Sequence, residues 1–283
     1  MAGLNLVCMR PATGPGRISR YKRAFVSLSL ASISLEAFLP YIGIGFAAQL
    51  VDGALGMAFG VISSTLLVSA MGVPPARASA GVHLVEFFTT GASGLSHILH
   101  RNVDWKLFGR LAVPGVIGGV AGATVLSHVD ASVARPLVMA YLAAIGLYLF
   151  YKAFHYPSEK LHDEARITMP LGLVGGFLDA SGGGGWGPVV TSNLLLQGTD
   201  PRKTVGTVNT AEFVLTFAVS ATFIYNSGFA AFTTVTSGLL VGGLLAAPFG
   251  AWFAKRIAPR HLLIMVSIVL MATSSFAIYK ALA

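Results

Sequence analysis

Four carboxylates stand in apolar sequence: Asp52, Glu86, Asp179 and Glu212. Asp104, Asp130, Glu159, Asp163, Glu164 and Asp200 fall in polar loops, where solvation accounts for them. An ionised carboxyl at the centre of a bilayer costs at least about 2.5 kcal/mol, so four of them call for a compensating role. Removal from water disfavours the charged form, which makes a buried carboxyl a usable proton carrier. One reading is therefore proton or cation coupling. The other is structural, because Asp52 and Asp179 each precede a glycine-rich break and could cap broken helix ends. His83 stands three residues before Glu86, on the same helix face, and Asn209 stands three before Glu212. His83 could hold a proton, donate to an anion, or make one neutral hydrogen bond between helices. His83-x-x-Glu86 could also ligate metal, but a second cluster is missing, and no metal site or cofactor is called for.

The second chemical feature is the run Ser181-Gly182-Gly183-Gly184-Gly185-Trp186-Gly187-Pro188, which cannot be an uninterrupted helix. A helix that starts here would aim free N–H groups and a positive dipole end into the break, and successive glycine amides form an anion nest. Gly182, Gly183, Gly184, Gly185 and Trp186 are thus the candidates to hold an anion, with Ser64, Thr65, Thr191, Ser192 and Asn209 adding neutral donors. The alternative for glycine is close helix packing. That alternative is preferred for Gly115, Gly118, Gly119, Gly122, Gly242 and Gly243. No Lys or Arg falls deep in any apolar block, so a buried anion would have to be held without a salt bridge.

The elements that must position these groups are membrane helices. Of 283 residues 54% are apolar and 11% charged, against about 25% charged in an ordinary soluble domain. Disorder is excluded by the same figures. The single cysteine, Cys8, excludes a disulfide scaffold. The net charge of +8 does not form a basic patch with interleaved aromatics, so nucleic acid is not a partner. Spanning a bilayer takes roughly 20 apolar residues per helix. Apolar blocks run over about 24–51 (kinked or broken near Pro40), 54–71, 78–99, 107–128 and 133–154, then 167–178, 186–196, 204–225, 229–254 and 261–282. They are too long and uniform for barrel strands, which alternate.

The polar stretch 155–166 divides two similar halves. Asp52-Gly53 lies 127 residues before Asp179-Ala180, and His83-x-x-Glu86-Phe87 lies 126 before Asn209-x-x-Glu212-Phe213. Gly122-Ala123 and Tyr151-Lys152-Ala153 recur 128 residues later as Gly250-Ala251 and Tyr279-Lys280-Ala281. Each half holds two short blocks and three full-length ones, so it crosses an odd number of times and the second copy lies upside down. Inverted repeats with interrupted helices are a transporter architecture, with the site near the midplane. The expected fold is an all-α polytopic membrane protein of two inverted repeats, each a broken helical hairpin plus three transmembrane helices. Its parts are a basic tail and apolar lead-in over 1–36, signal-like in character, repeat 1 over 37–154, the linker 155–166, and repeat 2 over 167–283. Arg10, Arg17, Arg20, Lys22 and Arg23 in the tail favour an N-terminus inside, whereas the other basic residues favour the reverse, so orientation stays open.

These motifs resemble the TauE/SafE sulfite-exporter family of bacterial membrane permeases over residues 40–282. The resemblance rests on Asp179 to Pro188, Asp200-Pro201-Arg202-Lys203 and Val205-Gly206-Thr207-Val208-Asn209 in the second half. In the first half it rests on Pro74-Pro75-Ala76-Arg77-Ala78-Ser79 and Asn102-Val103-Asp104-Trp105. The first break, Asp52 to Gly60, departs from the pattern by lacking the glycine run and the proline. The resemblance implies export of sulfite, sulfonates, thiosulfate or related small anions, coupled to protons, by a multi-pass protein of the bacterial inner membrane. Its partners would be a small anionic substrate and the lipid bilayer, with a homo-oligomer left open. On this reading Glu86 and Glu212, with His83, Asp52 and Asp179, carry the coupling. A cation transporter using the four acids is the alternative. An intramembrane enzyme would need a nucleophile–base or metal set, and none is apparent, so no catalytic residue is expected.

Overall fold

Proline and aspartate mark where the helices begin. Pro75 and Pro201 occupy first-turn positions, where the missing N–H costs nothing. Asp104 accepts from the amides of Lys106 and Leu107 at 2.9 and 3.1 Å, and Asp200 accepts from Lys203 at 2.8 Å. In the computed structural model, which describes residues 35–155, 167–229, 234–256 and 259–282, the chain is helical and no strand occurs among those residues. The first half holds α1 (Leu35–Leu55), α2 (Phe59–Ser69), α3 (Pro75–Leu99), α4 (Trp105–His128) and α5 (Ala131–Phe154). The second holds α6 (Met169–Gly182), a π-helical turn (Trp186–Thr191), α7 (Ser192–Leu196), α8 (Pro201–Ser227), α9 (Thr234–Arg256) and α10 (Pro259–Leu282). The basic part of the tail, residues 1–34, and nearly all of the linker, 156–166, lie outside the described residues.

By contact the chain divides into Met1–Phe38 and Leu39–Ala283. Of the first unit only the opening residues of α1 are described. The second unit carries everything that follows. Of the kink or break expected near Pro40, the break does not occur: α1 continues through Pro40 as one helix. Pro40 stands near the start of the described helix, and the loss of one amide donor leaves the rest of the hydrogen-bond ladder intact.

α4, α5 and α8 are long and apolar enough to cross a membrane. Val113, Ile117, Leu137, Leu147 and Phe217 on these helices are exposed. Outward-facing apolar side chains on long helices suit lipid contact. Inside, α4 packs on α6, α3 on α8, and α5 on α10. The α4–α6 seam is made of glycine. A Cβ on Gly118 would strike the Leu173 carbonyl and lie 2.9 Å from the Phe177 amide, and one on Gly172 would lie 2.8 Å from the Leu111 carbonyl. Small residues let helix backbones meet where lipid gives no hydrophobic push. This seam holds α6 in place, and the end of α6 forms half of the site.

Candidate functional site

Two interruptions face each other. At the first, α1 ends, Gly56 takes φ +69°, and α2 starts at Phe59. Asp52 Oδ1 accepts from the amides of Ala58 at 2.7 Å and Phe59 at 3.1 Å. At the second, α6 ends and Gly183 and Gly184 take φ of +75° and +144°, values that L side chains rarely adopt. Asp179 Oδ1 accepts from the Trp186 amide at 2.8 Å. Phe59 and Trp186 each lie seven residues after their aspartate. The same carboxylate-to-amide loop is thus built twice, and each aspartate satisfies amides that a helix start leaves without a partner.

The glycine run lets the two interruptions touch. A Cβ on Gly184 would lie 2.9 Å from the Gly60 Cα and closer still to the Gly60–Val61 peptide. Cβ atoms on Gly182 and Gly185 would strike the Tyr141 ring and hydroxyl. Across the contact Ser64 donates to the Gly183 carbonyl, Ser79 to the Ala180 carbonyl at 2.7 Å, and Tyr141 to the Gly184 carbonyl at 3.1 Å. The Gly183 and Gly184 amides donate to the Asp179 carbonyl at 2.9 and 3.0 Å.

A small cavity opens beside this contact. Asp52, Glu86, Asp179 and Glu212 all line it, with Thr90 and Asn209, and among the described residues no Lys, Arg or His is in its lining. The neutral donors mostly serve their own helices: Thr90 donates to the Glu86 carbonyl at 2.6 Å and Asn209 to the Val205 carbonyl at 3.1 Å. Glu86 is 6% exposed, and its Oε2 has no hydrogen-bond partner. A buried polar atom without a partner is rare and asks for a reason. Among the described residues no three His, Cys, Asp or Glu side chains form a metal-binding group.

His83 stands behind the cavity wall. Its Nδ1 lies 2.7 Å from the Ser79 carbonyl, which can only accept, so Nδ1 carries a hydrogen. Its Nε2 lies 3.0 Å from Asp179 Oδ2. Either imidazolium faces carboxylate or imidazole faces carboxylic acid. Both arrangements hold one further proton and no net charge, and both side chains are buried. His83→Leu is expected to lower stability by about 3 kcal/mol, because it strands a buried carboxylate. Adding Asp179→Asn should recover part of that loss. Thermal unfolding of the purified single and double variants tests this, and strictly additive losses would dismiss the pair as the cause.

The structure brings Asp52, Glu86, Asp179, Glu212, Asn209 and Gly185 together on one cavity. Gly182, Gly183 and Gly184 lie in the packed contact beside it. Trp186 is buried, with its indole N–H on the Val208 carbonyl at 3.3 Å, and Thr65 donates to the Val61 carbonyl at 2.6 Å. Ser64 bridges the two interruptions, and Thr191 is buried in the π-helical turn. Ser192 receives a group that sequence reasoning missed. Lys152, 2% exposed, donates to Ser192 Oγ at 2.6 Å, and Ser192 Oγ in turn lies 3.7 Å from the sulfur of Met57, a cavity-lining residue. No basic residue falls deep in an apolar block by sequence position, yet the fold buries Lys152. Lys152 stands in the last turn of its apolar block, where a lysine normally reaches outward to the interface. Its recurrence within Tyr151-Lys152-Ala153 was the only sign of a role in the sequence.

The model of one family, sulfite exporter TauE/SafE, matches residues 41–277. The chain belongs to this family. The matched span contains both interruptions and all four cavity acids. Among curated relatives, "probable membrane transporter protein YtnM" of Bacillus subtilis (strain 168) is 41% identical over 239 residues, 82% of this chain and 79% of that protein. A "probable membrane transporter protein" of Methanocaldococcus jannaschii is 22% identical over 245 residues, 80% of this chain and 90% of that protein. No solved structure matches the chain. The protein is thus a TauE/SafE-family membrane transporter, built of helices of which several can span a bilayer.

Proposed function

We propose that the protein is a multi-pass permease of the bacterial inner membrane that exports a small sulfur-containing or organic anion, of the sulfite, sulfonate or thiosulfate class, in a cycle coupled to protons. The observation that carries this reading is the lining of one cavity by four carboxyl groups, two from each half of the chain, where two helix interruptions meet. Two like charges about 5 Å apart repel by about 3 kcal/mol at an effective dielectric constant near 20. An anion therefore enters this cavity only when some of the acids are neutral, and its arrival is tied to proton uptake. Glu86 and Glu212 are the coupling residues, supported by His83, Asp52 and Asp179. The two halves act as inverted repeats that rock about the cavity and expose it to each side in turn.

The acid lining also suits a cation as the solute, and one assay separates the two. The full chain is purified, placed in liposomes and given labelled sulfite, methanesulfonate or thiosulfate with an imposed pH gradient. One coupled proton supports about tenfold accumulation per pH unit of gradient, since each unit is worth about 1.4 kcal/mol. Sodium movement without any anion flux would reject the anion reading.

A further inference from the structure

We propose that Asp52 is a resident anion in the substrate's own binding place at the N-terminus of α2, and that it yields that place when it takes up a proton. The proposal rests on the anion reading above and adds to it where the anion sits and what it displaces. The α2 helix has 11 residues, and its first free amides, those of Ala58 and Phe59, both point at Asp52 Oδ1. A helix start with two convergent amides is a ready-made anion site. Beside it on the same cavity is Glu86, almost wholly buried, with Oε2 unpartnered. A protonated carboxyl has one O–H to donate, so Glu86 in that form presents a donor to an anion held on the α2 amides.

The two interruptions are not equivalent. Asp179 is held on both oxygens, by the Trp186 amide and by His83, and is 2% exposed. Asp52 is half-buried, and both of its hydrogen bonds fall on Oδ1. The charged or titratable groups that share the cavity with it are Glu86 from α3, Asp179 from α6 and Glu212 from α8, all acidic. Among the described residues no cation in the lining anchors Asp52, and the Gly183 and Gly184 amides are already committed to the Asp179 carbonyl. The movable carboxylate is the one in the first half.

The exchange balances in charge. Asp52 as carboxylate gains one proton and becomes a neutral carboxyl, which accepts hydrogen bonds more weakly than the ion does. It leaves the Ala58 and Phe59 amides, and an oxygen of the incoming anion takes them. One negative charge departs from the amides as one arrives, so the exchange at Asp52 takes up one proton for each anion.

Methanesulfonate is the suitable probe, because it keeps a single negative charge across the working pH range and any pH dependence then belongs to the protein. Binding to the purified full chain is measured at about pH 5.5 and about pH 8, with the wild type expected to bind more weakly at the higher pH. An apparent affinity falls by the fraction of molecules whose site is open, so a carboxylate that fills the site in about nine molecules of ten weakens binding about tenfold. Asp52→Ala is expected to bind methanesulfonate about tenfold more tightly than wild type at about pH 8, with a flatter pH profile. Should loss of the cap prevent folding, Asp52→Asn keeps an oxygen acceptor of the same shape without the charge, and is expected to shift in the same direction. Weaker binding in the folded variant, or an unchanged affinity and pH profile, overturns the proposal while leaving the anion reading intact. Absence of binding by wild type and both variants overturns the anion reading itself.

Discussion

Glu86→Gln and Glu212→Gln are each expected to cut proton-driven accumulation of the anion by about tenfold per unit of pH gradient, and the double variant by about a hundredfold. Glutamine keeps the volume and the hydrogen-bonding oxygen but cannot release a proton at any relevant pH. Each lost proton removes about 1.4 kcal/mol of driving force per pH unit, which is a factor of ten in the gradient the transporter can sustain. Anion-for-anion exchange needs no net proton movement, so it should continue in both variants. That contrast separates a coupling role from a misfolded site, in which exchange would fall as well. Glu86 should give the cleaner result, because its Oε2 is buried and without a partner, whereas Glu212 is only half-buried. Counterflow and gradient-driven uptake in liposomes are the two measurements. Normal accumulation with an unaltered pH profile in both single variants would remove the glutamates from the coupling scheme.

The matched halves differ where the chemistry differs. His83 and Asn209 occupy corresponding places, three residues before their glutamates. His83 reaches across to Asp179 and closes a neutral one-proton unit behind the wall. Asn209 spends one N–H on the Val205 carbonyl and lines the cavity that Asp52 also faces. The two halves thus hold one fixed carboxylate and one less constrained carboxylate. The difference comes from a single side chain that can hold a proton where its counterpart cannot.

Much of this was legible in the sequence, for a physical reason. A carboxyl in apolar sequence is expensive, so Asp52, Glu86, Asp179 and Glu212 stood out, and the structure places them on one cavity. The interruptions were legible because four adjacent glycines cannot continue a helix. Their chemical use was not, because composition does not reveal which carbonyl or carboxylate an amide will find. The Gly183 and Gly184 amides bond to the Asp179 carbonyl, and the first interruption, with no glycine run, offers its α2 amides to Asp52. Lys152 was hidden for a different reason. Its burial depends on Ser192, 40 residues away in sequence, which no local pattern encodes. At Pro40 a break was one of two readings, and a proline near a helix start need not break it.

Gly184→Ala is expected to abolish transport and to lower stability by about 3 kcal/mol, the sum of a strained backbone and a forced contact. Gly184 has φ +144°, and its Cβ would fall on the Gly60–Val61 peptide of the opposite interruption. Backbone cannot step aside as a side-chain tip can, so the two interruptions must part, and the Asp52–Phe59 and Asp179–Trp186 loops move with them. Asp52 and Asp179, two of the four cavity acids, anchor those loops. Gly72→Ala is the matched comparison, because Gly72 also has positive φ, at +67°, but its Cβ would meet nothing within 4 Å. It should lose only the backbone share, about 1 kcal/mol, and still transport. Thermal unfolding in detergent and flux in liposomes, run on both variants, isolate the contact from the conformation. If Gly184→Ala proved no worse than Gly72→Ala in both measurements, close approach of the two interruptions would not be what shapes the site. The glycine run would then be needed only for its backbone angles.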